Sequence, residues 1–202
     1  MTGDHQPTAP MARRVAALEQ LLVERGTLSA EQVDDVEDMF CHRMGAQNGA
    51  RYVARAWVDD EFRTRLLADA TTVVREQGYD LGGASNRELP FLTLVAVENT
   101  EAVHNLVVCT LCSCYPVSLL GPSPRWYKSF QYRSRAVREP RAVLAEFGVH
   151  LAPDVDIRVW DSTADCRYLV LPRRPAGTEA LTEDELAALV GRNALIGAGL
   201  AG

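Results

Sequence analysis

The first third of the chain carries apolar residues at helical spacing. Residues 11–26, MARRVAALEQLLVERG, end at Gly26 and place four apolar side chains three or four positions apart: Val15, Leu18, Leu21 and Leu22. This pattern predicts an amphipathic helix that stops at the glycine. Ser29 and Gln32 form the pattern of a capping box for a second helix, whose apolar positions are Val33, Val36, Met39 and Phe40.

The helical pattern continues after Gly45 and Gly49. Residues 50–78, ARYVARAWVDDEFRTRLLADATTVVREQG, predict one or two further amphipathic helices. Asp59 or Asp60 is the expected helix cap within this stretch, and Gly78 is the expected stop. Up to Gly78 the pattern predicts no strand.

The pattern changes after the turn-rich residues 79–90, YDLGGASNRELP. Four short apolar runs with β-branched residues predict strands: FLTLVAVE, HNLVVC, DIRVWD and CRYLVLP. The residues STA join the last two runs and predict a hairpin. Two helices are expected among the strands, one opening with Pro140 and one with a Thr182–Glu185 capping box.

These elements predict an α+β fold with two parts. Residues 1–80 are expected to form an extended helical N-terminal arm, and residues 81–202 an α/β layered domain that carries the chemistry. The arm's amphipathic helices precede the strand-rich core in sequence, so we expect their apolar faces to wrap a partner subunit.

Composition and charge narrow the class of protein. The chain has 202 residues, of which 47% are hydrophobic and 24% charged, as in ordinary globular proteins. Its 21 Lys and Arg against 27 Asp and Glu give a net charge of −6, which argues against nucleic acid as a partner. No apolar run approaches the ~20 residues of a membrane span, and the first residues lack the pattern of a signal peptide. The expected location is therefore the cytoplasm.

Three of the five cysteines fall within six residues, in VVCTLCSCYP. An odd and clustered set is a poor disulfide framework in a reducing compartment. A structural zinc site lacks its second cysteine pair, an iron–sulfur cluster lacks a motif for its further ligand, and a thioredoxin-type pair has no need of the third sulfur. Cys41 and Cys166 are expected to be core residues, and His104 and His150 to be satisfied groups rather than ligands.

The spacing suggests a different metal site, which we call the cysteine claw, residues 109–114. If the amides of Ser113 and Cys114 lose their protons, the sulfurs of Cys112 and Cys114 and these two nitrogens can chelate one metal in a plane. Cys109 can then supply an axial thiolate and leave the opposite position open, as catalytic metal sites require. Soft thiolates and anionic amides favour a transition metal in a high oxidation state. The alternative is that these are small buried residues at a strand end.

The claw and its surroundings resemble the α subunit of nitrile hydratase. The motif VCTLCSCY is preceded by VENTEAVHNLV and followed by WYKSFQYRSRAV, LAEFG, IRVWDS and RYLVLPRRPAGTE, and the resemblance runs from about Val15 to the C-terminus. The γ subunit of thiocyanate hydrolase shares the cysteine motif. A thiocyanate hydrolase-type subunit and a non-enzymatic metal-carrying protein therefore remain alternatives.

The resemblance implies a non-corrin Co(III) held by Cys109, Cys112 and Cys114 and by the amide nitrogens of Ser113 and Cys114. Thr110 resembles the cobalt-dependent members, since iron members usually have serine there, and Fe(III) is the alternative. The resemblance also implies oxidation of Cys112 to sulfinic and Cys114 to sulfenic acid. It implies β-type subunits whose arginines bind those oxygens, and an activator protein that inserts cobalt.

The implied reaction is the hydration of a nitrile to the corresponding amide. Either the Cys114 sulfenate oxygen or an activated water attacks the nitrile carbon, and Ser113 is expected to form hydrogen bonds near the open position.

Two positions depart from the family pattern. Pro90 stands where members commonly have glutamine, and Val117 stands where a tryptophan is usual after the claw. Both usual residues line the family's substrate site, so we expect a wider and more apolar pocket that prefers a bulky heteroaromatic nitrile, such as the nucleoside type hydrated by one member of the family. Local repacking without a change of preference is the alternative.

Overall fold

A computed structural model describes residues 9–38, 44–78 and 92–202 of the chain. It divides into two compact units, residues 1–41 and residues 42–202. Met39, Phe40, Cys41 and Pro90, which the sequence analysis singled out, lie outside the described residues.

The first unit contains the two helices predicted from the sequence. α1 spans Ala9–Glu24 and α2 spans Ala30–Asp38. The predicted capping box is confirmed, because the Gln32 N–H donates to Ser29 Oγ at 3.1 Å and the Ser29 N–H donates to Gln32 Oε1 at 2.9 Å. No residue described in either helix is buried, so the apolar stripe of α1 faces solvent in the isolated chain.

The second unit begins with three helices, not the one or two predicted. α3 spans Ala46–Val58, α4 Asp60–Ala68 and α5 Ala70–Glu76. Asp59 caps α4 by accepting a hydrogen bond from the Phe62 N–H at 2.9 Å. Asp69 caps α5 in the same way by accepting from the Thr72 N–H at 3.0 Å, and this second cap divides the stretch once more.

These three helices belong to the core of the second unit. Val53, Leu66 and Val74 are fully buried in one hydrophobic cluster that includes strand residues such as Leu94. The Leu94 N–H also donates to Thr71 Oγ1 at 2.9 Å, which ties α5 to a strand. The boundary between units therefore falls near residue 41, whereas the sequence analysis placed the end of the arm at residue 80, because the apolar faces of α3–α5 pack on the strands.

The four predicted strands form two parallel pairs. β1 spans Thr93–Glu98, β2 Val103–Val108, β3 Asp156–Asp161 and β4 Cys166–Leu171. β1 pairs with β4 and β2 pairs with β3. The predicted hairpin between β3 and β4 is therefore wrong, since each of these strands adds in parallel to an earlier one that is buried beside it.

The remaining helices surround the strands. α6 spans Val117–Leu120, α7 Phe130–Arg138, α8 Pro140–Glu146 and α9 Glu183–Ala188. Pro140 opens α8 and the Thr182–Glu185 capping box opens α9, as predicted. α6 and α7 were not predicted, and they lie with α8 on the crossover from β2 to β3. The α+β class is confirmed, and none of the described helices has the length and apolar character needed to cross a lipid bilayer.

A buried polar network fixes β2 next to β3. The Asn105 side chain donates to the Glu98 carbonyl oxygen at 2.7 Å and accepts from Trp160 Nε1 at 2.8 Å. His104 Nε2 lies 2.7 Å from the Gly197 carbonyl oxygen, and its Nδ1 lies 3.3 Å from the Asn99 amide nitrogen. Since a carbonyl only accepts, Nε2 carries the proton and Nδ1 accepts from Asn99. Both ring nitrogens of His104 are thus satisfied within the fold.

Candidate metal centre

The cysteine claw begins where β2 ends. Val108, the last residue of β2, pairs with Asp161, the last residue of β3, and the Ser162 N–H donates to the Val108 carbonyl oxygen at 2.7 Å. The carboxyl ends of both strands therefore meet at one edge, where the open α/β arrangement places binding groups. This edge anchors the first residue of the claw, since Cys109 is fully buried.

The three cysteine sulfurs converge on one point. Cys109 Sγ lies 3.4 Å from Cys112 Sγ, which lies 3.1 Å from Cys114 Sγ, and all three lie within 4.8 Å of one another. With metal–sulfur bonds of about 2.3 Å, two sulfurs at right angles around one ion lie about 3.3 Å apart. The observed separations fit a site with right angles between neighbouring ligands, and three thiols are the soft donors that a transition metal prefers.

Hydrogen bonding and burial give the thiols of Cys112 and Cys114 different pKa values. Hydrogen bonds from Cys114 and Cys109, with smaller contributions from the backbone N–H groups of Cys114 and Ser113, lower the pKa of the Cys112 thiol to about 7. Burial, followed by the hydrogen bond with Cys112, raises the pKa of the Cys114 thiol to about 12. Of these two thiols, Cys112 is therefore the one that loses its proton more readily.

Thr110 fastens the claw to the neighbouring strand. Its backbone N–H donates to Asp161 Oδ1 at 2.9 Å, and its hydroxyl donates to Asp161 Oδ2 at 2.6 Å. One carboxylate at the end of β3 thus holds two donors of one claw residue. Hydrogen bonds to a charged acceptor are the stronger kind, so this contact limits the freedom of the loop after Cys109.

Two tyrosine hydroxyls bind backbone carbonyl groups of the claw and of β2, the strand that leads into it. The fully buried Tyr127 donates from its hydroxyl to the Cys114 carbonyl oxygen at 3.0 Å, and Tyr132 of α7 donates to the Val107 carbonyl oxygen at 2.6 Å. Trp126 packs edge-on against Tyr132, with ring centroids 4.8 Å apart. Burial raises the pKa of both tyrosines far above the ordinary value, so their hydroxyls remain donors.

Two arginines of this chain flank the sulfurs. Arg133 of α7 donates from Nη1 to the Cys112 carbonyl oxygen at 3.2 Å. Arg167 of β4 donates to the carbonyl oxygens of Thr163 and Cys166, and its charge lowers the pKa of Cys114, although burial outweighs it. Each guanidinium also has a buried Nε–H with no hydrogen-bond partner among the described residues. Positive charge therefore lies on both sides of the claw.

The structure places the other predicted site residues at different depths. Ser113 is exposed at the tip of the claw, whereas Val117 is half-buried at the start of α6, two residues after the buried Tyr115. Two cavities of the described chain lie elsewhere, one of about 900 Å³ beside α8 and one of about 250 Å³ beside α3. Neither is lined by a claw residue or by Val117.

Two contact residues were missed as site residues in the sequence analysis: Tyr127 and Asp161. Tyr127 stands in the motif WYKSFQYRSRAV, which the resemblance quoted without assigning it a role. Asp161 ends the run DIRVWD, and an acidic residue directly after a buried strand is a signal for an edge where binding groups meet.

Comparisons with known proteins agree with this geometry. The family model for the nitrile hydratase alpha chain matches residues 9–199. The alpha subunit of the low-molecular weight cobalt-containing nitrile hydratase of Rhodococcus rhodochrous is 54% identical over 187 residues, which cover 93% of this chain and 87% of the relative. The gamma subunit of thiocyanate hydrolase from Thiobacillus thioparus is 40% identical, over 94% of this chain and 82% of that protein.

A solved structure shares the fold over nearly the whole chain. An iron-type nitrile hydratase variant from Comamonas testosteroni Ni1 superposes with a TM-score of 0.82 at 41% sequence identity. The match covers 97% of this chain and 92% of that chain.

Proposed function

Because the chain belongs to the nitrile hydratase alpha family, we propose that it is the metal-binding subunit of an enzyme that hydrates a nitrile to an amide. The observation that carries the proposal is the convergence of the Cys109, Cys112 and Cys114 sulfurs. This donor set fits a transition metal, and the cobalt-containing relative supports non-corrin Co(III) over Fe(III).

In the proposed site the sulfurs of Cys109, Cys112 and Cys114 and the amide nitrogens of Ser113 and Cys114 hold the cobalt. When bound, the ion supplies Lewis acidity that polarises the nitrile carbon. We further propose that an oxygen-donating oxidant such as dioxygen converts Cys112 to sulfinic and Cys114 to sulfenic acid. The exposure of Cys112 and its lowered pKa support the oxidation of Cys112, since accessible thiolates are the cysteines that oxidise. The oxidation of Cys114 is proposed from the family resemblance.

The residues of this chain then have separate roles in the reaction. The Cys114 sulfenate oxygen, or a water held beside it, attacks the nitrile carbon, and Ser113 at the exposed tip donates a hydrogen bond next to the reacting atoms. One water is consumed in total, and its two hydrogens end on the amide nitrogen. If the water attacks, its oxygen becomes the amide oxygen; if the sulfenate attacks, the sulfenate oxygen is transferred to the carbon and the oxygen of the water restores the sulfenate. No electron is gained or lost.

A partner subunit is part of the proposal. Leu111 of the claw is 86% exposed in the chain alone, and Phe130 and Val137 are large exposed apolar side chains on α7, the helix that carries Arg133. Such exposure around a reactive site is expected where another chain covers it. We infer that a β-type subunit does so and brings arginines to the oxidised sulfurs, and that an activator protein inserts the cobalt. We also expect a cytoplasmic location, where the cysteines stay reduced until the metal binds.

The proposed substrate is a bulky, heteroaromatic nitrile. Val117 is smaller than the tryptophan usual at its position, and it is half-buried directly after the claw. We propose that the partner subunit completes the substrate pocket beside the claw. Pro90, which stands where the family commonly has glutamine, is the second departure on which this proposal rests. A wider wall favours a large ring system over a small aliphatic nitrile.

A thiocyanate hydrolase-type subunit is the second candidate function. The 40% identity to a gamma subunit over 94% of the chain supports it, and thiocyanate also presents a carbon–nitrogen triple bond to the metal. In this second proposal the same cysteine claw would hold the metal that binds thiocyanate in place of a nitrile.

The decisive experiment uses this chain purified with its co-purifying partners from cells supplied with cobalt. We expect about one cobalt per chain, oxygen on Cys112 and Cys114 in the peptide masses, and turnover of a heteroaromatic nitrile. Turnover of thiocyanate alone would establish the second candidate. Absence of both activities, with cobalt and oxidised cysteines intact, would indicate a non-enzymatic metal carrier. A full complement of zinc with unmodified cysteines in an active preparation would contradict the claw chemistry.

A further inference from the structure

The side chain of Arg133 forms a hydrogen bond with the backbone of the claw. Its Nη1 lies 3.2 Å from the carbonyl oxygen of Cys112, and this oxygen belongs to the peptide group that contains the Ser113 nitrogen. Ser113 supplies one of the nitrogen ligands in the proposed function, on which the present inference rests. The arginine therefore contacts a metal ligand through one planar peptide group.

The position of Arg133 is fixed by the packing of its helix. Tyr132, the preceding residue, donates to the Val107 carbonyl oxygen on the strand that leads into the claw. Ala136 on the next turn is fully buried, and Ser129 caps the helix by accepting from the Tyr132 N–H. These contacts fix α7 on the core, so the backbone of Arg133 has little freedom to move relative to the claw.

Because the Cys112–Ser113 peptide is planar, the hydrogen bond from Arg133 to its oxygen also fixes the direction of its nitrogen. In a trans peptide the carbonyl oxygen and the N–H point to opposite sides. A donor that holds the Cys112 oxygen towards α7 therefore turns the Ser113 nitrogen away from α7. The sulfurs of Cys112 and Cys114, from the residues on either side of Ser113, lie 3.1 Å apart, so a metal held there needs the Ser113 nitrogen turned towards them.

The charge of Arg133 acts in the same direction. Three thiolates and two anionic amide nitrogens carry more negative charge than one trivalent ion neutralises, and the charge of an anionic amide is shared with its carbonyl oxygen. A half-buried guanidinium on that oxygen offsets part of this excess. Arg133 also has a buried Nε–H without a hydrogen-bond partner, and its guanidinium forms no ion pair with a carboxylate among the described residues.

We propose that Arg133 is a positioning residue of the metal centre, which holds the Cys112–Ser113 peptide in the orientation that binds cobalt. It is distinct from the partner's arginines, since it binds a backbone carbonyl and not the oxidised sulfurs. Groups that orient metal ligands in this way typically change metal affinity by about 10–100-fold.

The test compares Arg133→Gln and Arg133→Lys with wild type in the full chain, purified with its partners from cobalt-supplied cells. The readouts are cobalt per chain, the rate of cobalt loss to a chelator such as dipicolinate, and the sulfur-to-cobalt absorption band. We expect Arg133→Gln to lose cobalt about 10–100-fold faster and to shift the band. Arg133→Lys keeps the charge but not the planar fork, so an intermediate rate is expected.

Arg138→Gln is the matched control. Arg138 lies on the same helix, and its Nε donates to the Ser134 carbonyl oxygen at 3.1 Å, away from the claw. We expect its cobalt loss to equal that of wild type. If Arg133→Gln fails to fold, Arg133→Lys decides the question. Wild-type cobalt retention and absorption in a folded Arg133 variant would overturn the inference, and these readouts are independent of which substrate is turned over.

Discussion

The hydroxyl of Tyr127 donates a hydrogen bond to the carbonyl oxygen of Cys114 at 3.0 Å, and the tyrosine side chain is fully buried. The last cysteine of the claw is therefore held by a side chain 13 residues further along the chain. Tyr127 also packs edge-on against Tyr115, the residue that follows Cys114, with ring centroids 5.0 Å apart. The C-terminal end of the claw is thus fixed by both a hydrogen bond and ring packing.

Tyr127→Phe should lower the free energy of unfolding by about 1 kcal/mol, because it removes one buried hydrogen bond and leaves a carbonyl unpaired. Urea unfolding measures this loss. Tyr132→Phe is the matched control, since it removes a similar bond to the Val107 carbonyl and should cost about the same. Tyr127→Phe should also change the sulfur-to-cobalt absorption, because its hydroxyl binds the carbonyl of a claw residue. A wild-type spectrum in folded Tyr127→Phe would contradict the role of Tyr127 at the claw.

Thr110→Ser should retain cobalt at the wild-type level, because serine keeps the hydroxyl that donates to Asp161 Oδ2. Thr110→Val has nearly the same shape but no hydroxyl, so it should lose cobalt faster. Metal analysis before and after dialysis against a chelator measures both. Preferential loading of iron by Thr110→Ser would instead show that the methyl group selects the metal.

Val117→Trp should reverse the preference between large and small nitriles. The added indole narrows a wall of the proposed pocket, and each contact on the scale of a methylene group changes discrimination by about 1–3 kcal/mol. The comparison measures kcat/KM on a large heteroaromatic nitrile and on propionitrile for wild type and variant. The same preference for small nitriles in both proteins would refute the pocket argument.

The stability of the protein should fall as the pH drops below about 6.5, in part through His104. Burial lowers the pKa of His104 below its ordinary value of 6.5, although the bond to the Gly197 carbonyl oxygen acts in the opposite sense. A depressed pKa means that the unfolded chain takes up the proton first, so the stability contributed by neutral His104 is complete above 6.5 and lost as the pH falls towards the lower folded-state pKa.

Urea unfolding at pH 7.5 and pH 5.5 measures this dependence. His104→Gln, which has no proton to gain in this range, should be less stable at pH 7.5 but should lose less stability on acidification than wild type. His150→Gln is the control, because His150 is an exposed histidine and should behave as wild type. An unchanged pH slope in His104→Gln would exclude His104 as the source.

Local sequence patterns were sufficient for many of the elements. The Ser29–Gln32 and Thr182–Glu185 capping boxes and the opening of α8 at Pro140 appear in the structure as predicted. Each depends on residues no more than four positions apart, so the sequence contains all the partners. Asp69 shows the limit of predicting helices from local patterns. Apolar periodicity treats the stretch after Asp59 as one helix, whereas the Asp69 cap divides it into two.

The pairing of strands could not be read from local patterns. The apolar runs of β3 and β4 predict strands, and the short link STA suggests a hairpin, yet β3 pairs with β2 and β4 with β1. Periodicity indicates that a strand is buried but not which strand lies beside it. That choice depends on how the crossover helices α6–α8 pack, which is a property of the whole unit.

The sequence by itself determined the chemistry of the claw, because Cys109, Cys112 and Cys114 stand so close along the chain that their sulfurs can reach one ion whatever the rest of the fold does. Only the tertiary structure decided what holds the claw in place. Thr110 meets Asp161 across 51 residues, and Arg133 meets Cys112 across 21. Ligand spacing is a short-range property of the backbone, whereas these supporting contacts exist only after β2, β3 and α7 have packed together.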